Sequence, residues 1–426
     1  MSQALENMSS ELLQQEIAPG AGVDLQTVSL PRISIQAFCE TKEQADILEA
    51  AARDRRMSRT HTNVYGGGIL AAVEYYATAA TPNLLVVETL ETGTTLFEQL
   101  GQLAEVCDPG TRVMVIGSIN DVDLYRALID EGVSEYLVGP LSIQKLITTF
   151  ARFFASPDAE PIGRTIAVLG AKGGSGASTV AHNLSWAISR SLENDVAIVD
   201  LDLPFGTAGL DFNQDPLQTV WDAINTDEEL EKTYVDRLLA KCSDRVRLLA
   251  APAILDKAYD YHADQFLPLV EVMKESSPVV VLDIPHAWNE WTRRTIAAAD
   301  EVVIVAEPDL ANLRNAKNLT DALAELRPND QKPLLVLNKV GVAKRPEIKS
   351  EEFSGALETP VAAQFAFDAH LFGSASTNGQ MVADVEPKGG ATRTFEELAM
   401  YAMGRTTAKL EKKSGIGALL GKLKKK

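Results

Sequence analysis

Residues 170–179 run Gly170-Ala171-Lys172-Gly173-Gly174-Ser175-Gly176-Ala177-Ser178-Thr179, a composition suited to gripping an anion. Glycines let the backbone curl until successive N–H groups converge on one point, and a helix start adds partial positive charge there. Ser178 offers a hydroxyl to Mg2+, and Thr179 can donate to a phosphate oxygen. The apolar run Thr165–Leu169 comes just before, and Val180, Leu184 and Ala187 mark an apolar helix just after. Strand, glycine loop, helix is the context a phosphate cradle requires, although loop composition alone also fits an ordinary strand-to-helix turn.

Three more apolar runs end in polar residues able to serve such a cradle. Val196–Val199 leads into Asp200-Leu201-Asp202, two acids whose period-two spacing points them the same way, into the crevice where open sheets bind ligands. Val279–Leu282 delivers Asp283, the kind of carboxylate that meets a metal through water. Leu334–Leu337 ends in Asn338-Lys339, and a carboxamide carries both donor and acceptor for a base edge. Solvated strand ends and a turn-forming asparagine are the plainer readings of the same residues. His182 and His286 lie nearby without metal-ligand spacing to another His or Cys, so structural or solvated roles are expected. Core packing is the expectation for Trp288 and Trp291.

Lys172-Gly173-Gly174 with Gly176, Ser178 and Thr179 resembles the deviant Walker A motif of the MinD/ParA family. The resemblance implies an ATP site formed by Gly173, Gly174, Ser175, Gly176, Ala177, Ser178 and Thr179, with Lys172 reaching across a homodimer to the partner's phosphates. It implies Mg2+ near Ser178, Asp200 and Asp283, a water oriented by Asp202, and adenine against Asn338. Phe367-Asp368 and Asn378-Gly379 fall where that family has its base-covering loop. The family's second lysine would stand at position 177, where this chain has Ala177. Removing that charge favours binding over rapid hydrolysis, because charge on the transferring phosphoryl group is where such enzymes gain rate.

These residues must be positioned by alternating strands and helices, and the whole chain has that rhythm. The expected fold class is α/β, two doubly wound and mostly parallel sheets. Residues 1–30 form a polar arm, 31–155 a first domain, 156–163 a linker with two prolines, 164–405 the loop-bearing domain and 406–426 a basic tail. In the first domain strands are expected at Ile33–Phe38, Leu84–Val87, Val113–Ile116 and Glu135–Val138. Its order resembles a response-regulator receiver, but Cys39-Glu40 replaces the acidic pair, Glu88 the phosphoacceptor and Gly139 the lysine; only Ser118 fits. A degenerate receiver before an Ala177-bearing loop resembles the CpaE/TadZ family. That resemblance implies a localisation or assembly factor for a Tad/Flp-type pilus, with the first domain binding pilus assembly or secretion proteins. The alternative is an actively cycling MinD/ParA-type ATPase in division-site selection or DNA partition.

Composition excludes several other classes. A net charge of −19 works against a nucleic-acid face. Cys39, Cys107 and Cys242 lack paired spacing, so buried thiols are expected rather than disulfides or zinc. Met1–Leu30 has no signal-peptide pattern, and no apolar run spans a bilayer, so a cytoplasmic location is expected. The tail carries seven lysines against one glutamate, with Ile416, Leu419, Leu420 and Leu423 at helical spacing, a pattern suited to the inner-membrane surface or the cell pole.

Overall fold

The computed structural model describes residues 30–154, 163–226, 230–255 and 259–405. The arm before Leu30, the linker up to residue 162 and the basic tail lie outside them. Two α/β sheets are present, as expected. The first has five strands, β1 (Ser34–Cys39), β2 (His61–Gly66), β3 (Leu84–Glu88), β4 (Arg112–Gly117) and β5 (Glu135–Val138), all parallel in the order β2-β1-β3-β4-β5. The four expected strands are there. The edge strand β2 and the helix Gly68–Tyr76 were not foreseen, because His61-Thr62-Asn63-Val64-Tyr65-Gly66 buries none of its residues and carries no apolar pattern.

The second sheet holds β6 (Arg164–Gly170), β7 (Val196–Asp200), β8 (Ala240–Lys241), β9 (Val246–Leu249), β10 (Val279–Ile284), β11 (Glu301–Ala306), β12 (Leu334–Val340) and β13 (Val361–Ala366). Their order is β13-β12-β11-β6-β10-β7-β9-β8, parallel except for β8. The six strands that apolar runs predict, at Thr165–Leu169, Val196–Val199, Val246–Leu249, Val279–Leu282, Val302–Val305 and Leu334–Leu337, are the central ones, and the two unforeseen ones, β8 and β13, are the edges. Both faces are covered. Ala167, Leu169, Val280 and Leu282 pack with Phe266, Leu269 and Met273 on one side. Ile166, Val168, Val279 and Val281 pack with Val180, Leu184 and Leu398 on the other. Double coverage is why these strands read as unbroken apolar runs. No helix among the described residues is long and apolar enough to cross a membrane.

Glu88 closes β3 and is buried. Its carboxylate accepts from Glu40 N and Thr41 N at 2.8 Å and from Thr41 Oγ at 2.7 Å. Thr41 is the N-cap of the helix Lys42–Ala52, so the acid is consumed in fixing that helix start. Of the thiols, only Cys39 is buried; Cys107 and Cys242 are half-buried, and all three are free, which corrects the expectation of three buried residues.

The two sheets are joined by a buried charge cluster. After the first helix, a single 3-10 turn, Arg55–Met57, presses against the start of β11 and the loop before β12. Arg55 reaches Asp300 Oδ1 and Asp330 Oδ2, both at 2.7 Å. Asn329 donates to Asp54 at 3.1 Å, and Arg59 pairs with Glu271 at 2.6 Å and Glu275 at 3.0 Å. Asp300 also accepts from Thr165 N and Oγ at the foot of β6. Burial alone would raise the Asp300 carboxyl, but Lys274 and Arg55 outweigh it and hold it down at about 2. Replacing Arg55 by Ala takes the closest cation from Asp300 and leaves Asp330 to Arg327, so Arg55→Ala is expected to cost about 3 kcal/mol, the low end for a broken buried pair. Calorimetry should then resolve two unfolding transitions in place of one; an unshifted single transition would show that the cluster does not join the sheets.

Candidate functional site

The glycine loop lies at the C-terminal end of β6, between β11 and β10, where the chain's path reverses and open sheets leave a crevice. The helix Ala177–Ser191 starts directly after it. Gly174 and Gly176 have φ of 83° and 88°, the left-handed region that glycine enters without penalty. A Cβ on Gly176 would also collide with Asn338 Nδ2. The first hydrogen bond of the helix is Val180 N to Gly176 O. The N–H groups of Gly173, Gly174, Gly176, Ala177, Ser178 and Thr179 therefore have no acceptor among the described residues. Six free amides around two left-handed glycines form the nest that the sequence predicts.

The acids gather beside it. Asp200 and Asp283 are register partners on β7 and β10, and both are buried. Asp200 accepts from Asp202 N and Ala208 N, each at 3.1 Å, so it shapes the turn after β7. Burial first, and the neighbouring Asp283 second, push its carboxyl up to about 7. Asp202 is half-buried at the mouth, with its carboxyl raised by burial. Lys172 is exposed on the rim; Asp309, which burial would raise, is lowered by hydrogen bonds from Asn312 and, after them, by the Lys172 charge. Asn338 is buried, and its Nδ2 donates to Ser175 O at 2.8 Å while its Oδ1 accepts from Lys339 N. Much of the carboxamide is thus used on the loop itself. Asp368 caps the helix Ala369–Thr377, and Phe367 is exposed.

Sequence reasoning missed the cation. His182, one turn into the helix Ala177–Ser191, is fully buried. Its Nδ1 lies 2.8 Å from Asp211 Oδ2, and its Nε2 faces Asp283 Oδ2 at 3.4 Å, an ion-pair separation without hydrogen-bond geometry. Burial would lower its pKa, but the hydrogen bond to Asp211 and the nearby Asp283 carboxylate outweigh it and raise it to about 10. A buried imidazolium thus balances the acids under the loop. Nothing in the spacing of His182, Asp211 and Asp283 announces this. Of the two tryptophans, Trp291 stacks on Phe266 at 4.3 Å, whereas Trp288 is exposed, against expectation.

The donor set fits a magnesium nucleotide: free amides for phosphates, the Ser178 hydroxyl at the helix start, and a buried Asp283 Oδ2 without a hydrogen bond. The His182 pair gives a pH test. Its contribution to stability is complete below the ordinary value of 6.5 and is lost as pH rises toward 10. Urea midpoints of the wild type and His182→Gln should differ most below pH 6.5 and converge above; a constant gap would reject a charged His182.

Comparison with known proteins agrees with this geometry. Residues 163–336 match the AAA_31 family, described as an AAA domain. The septum site-determining protein MinD of Synechocystis is 30% identical over 164 residues, which are 38% of this chain and 60% of that one. The chain thus spans less than two thirds of that relative's length. A ParA family ATPase from Chlorobium tepidum shares the fold, at 24% identity and a TM-score of 0.51, over 56% of this chain and 98% of that one. A pilus assembly protein CpaE from Caulobacter crescentus is 49% identical over 98% of its own chain and 30% of this one, with a TM-score of 0.30. With the nest, the paired acids and the AAA match in one sheet, the chain belongs to the CpaE-like MinD/ParA P-loop proteins.

Proposed function

We propose that the chain is a nucleotide-dependent localisation and assembly factor for a Tad/Flp-type pilus, binding ATP with Mg2+ as a homodimer and hydrolysing it slowly or not at all. The observation that supports this best is a complete nest of free amides with a methyl group, Ala177, where a lysine would supply charge. Main-chain donors hold ground-state phosphates without that lysine. They lack the mobile charge that follows a phosphoryl group into its transition state, which is where rate is gained.

In this reading Gly173 to Thr179 bind the phosphates, and Asn338 borders the base. Ser178, Asp200 and Asp283 would hold Mg2+, which when bound neutralises charge on the triphosphate. Asp202 stands at the mouth to orient water. Lys172, exposed on the rim, is free to reach a second copy, and Phe205, Leu210 and Leu255 are exposed apolar residues on the segments following β7 and β9. The front sheet, with Glu88 consumed internally, serves as a protein-binding pseudo-receiver for pilus assembly or secretion proteins. The identity to a chain titled pilus assembly protein supports that partner class.

Calorimetry should detect Mg-ATP binding, with turnover at least about a thousandfold below the ordinary enzyme median of roughly 10 per second. Ala177→Lys should tighten ATP by about tenfold, the value of one charge-assisted contact. Robust DNA- or lipid-stimulated turnover would instead establish the cycling ATPase, and a flat titration would remove nucleotide from the function.

A further inference from the structure

The loop's carbonyls are as closely held as its amides are free. His286 Nδ1 donates to Gly170 O at 3.0 Å, and Asn315 Nδ2 donates to Ala171 O at 2.9 Å. Lys339 Nζ donates to Gly174 O at 2.5 Å, and Asn338 Nδ2 to Ser175 O at 2.8 Å. Each tether is itself braced. Asn315 Oδ1 accepts from Arg314, which fixes the amide's orientation. Lys339 pairs with Glu307 at 2.9 Å, and Glu307 pairs with Arg345 at 2.6 Å. Lys339 also sits at a φ of 52°, within a register shift between β12 and β13. A bulge of that kind re-aims a side chain, here onto the loop.

A trans peptide group points its carbonyl and its N–H in opposite directions. Holding Ser175 O outward therefore turns Gly176 N–H inward, and holding Ala171 O does the same for Lys172 N–H. The other two tethers brace peptides whose N–H groups are already used, Ala171 N on Val305 O and Ser175 N on Lys172 O. They fix the two ends of the turn. We propose that His286, Asn315 and Lys339, together with Asn338, are positioning residues that pre-form the phosphate nest from behind, in place of the ordering that a lysine at position 177 would give. This rests on the nucleotide-binding reading. It adds that the tethers act on the grip of the polyphosphate and not on the base.

The tethers at Asn315 and Lys339 can be removed without hollowing a core, because Asn315 lines an open cavity of about 370 Å³ with His286, Trp288 and Leu319, and Lys339 is part-exposed. The test is calorimetric titration of the full chain with inorganic tripolyphosphate and with ATP, each with Mg2+. Asn315→Leu and Lys339→Met should each weaken both ligands by the same factor, about five- to tenfold, the worth of one ordered hydrogen bond. Unliganded melting temperatures should hold, and Lys339→Arg should restore binding. Three results overturn the proposal: wild-type affinity in both variants, a loss confined to ATP, or a loss confined to Lys339→Met, which would mean charge rather than tethering. A wild-type chain that takes up neither ligand overturns the nucleotide reading and this one together.

Discussion

An eight-stranded parallel sheet with helices on both faces leaves polar chemistry only two places to go, the two ends of its strands. Backbone hydrogen bonds are satisfied within the ladder, and side chains on both faces are buried among apolar neighbours. The strand-borne polar groups of this sheet obey it. At the C-terminal ends stand the glycine loop, Asp200, Asp283 and Asn338; at the N-terminal ends stand Thr165, Asp300 and the loop with Asp330. β6 connects the two, with Asp300 bonded at its foot and the loop at its tip, about 20 Å apart at strand rise.

Concentrating acids at one edge creates a charge problem, and the fold answers it locally. Asp200 and Asp283 are buried side by side, which disfavours two full negative charges. His182 lies beneath them with Asp211 behind it, so the cluster contains its own cation. The loop above has no such cation from position 177, and its Lys172 is exposed. Positive potential at the loop therefore comes from backbone dipoles, the helix start and the Lys339 ammonium held on Gly174 O.

How legible this was in the sequence follows from distance along the chain and from coverage. Central strands such as Val279–Leu282 announce themselves because both faces are apolar. Edge strands β2, β8 and β13 do not, because an edge has an exposed side and tolerates polar residues. The loop was legible because its chemistry is local, ten consecutive residues with glycines where the backbone turns left-handed. Its supports were not: His286, Asn315, Asn338 and Lys339 lie 116, 144, 163 and 165 residues from the carbonyls they hold. Histidine, asparagine and lysine are ordinary just past a strand, at a strand's end or, like Asn315, within a helix, so only folding together gives them meaning. The same holds for Arg55, one arginine in a charged stretch until Asp300 and Asp330 surround it.

The Arg55 cluster fixes where the five-stranded sheet can be. It is bolted to the foot of the larger sheet, at the strand ends opposite the glycine loop. Anything docked on the small sheet is therefore carried at a set offset from the loop, and that offset is written into one arginine.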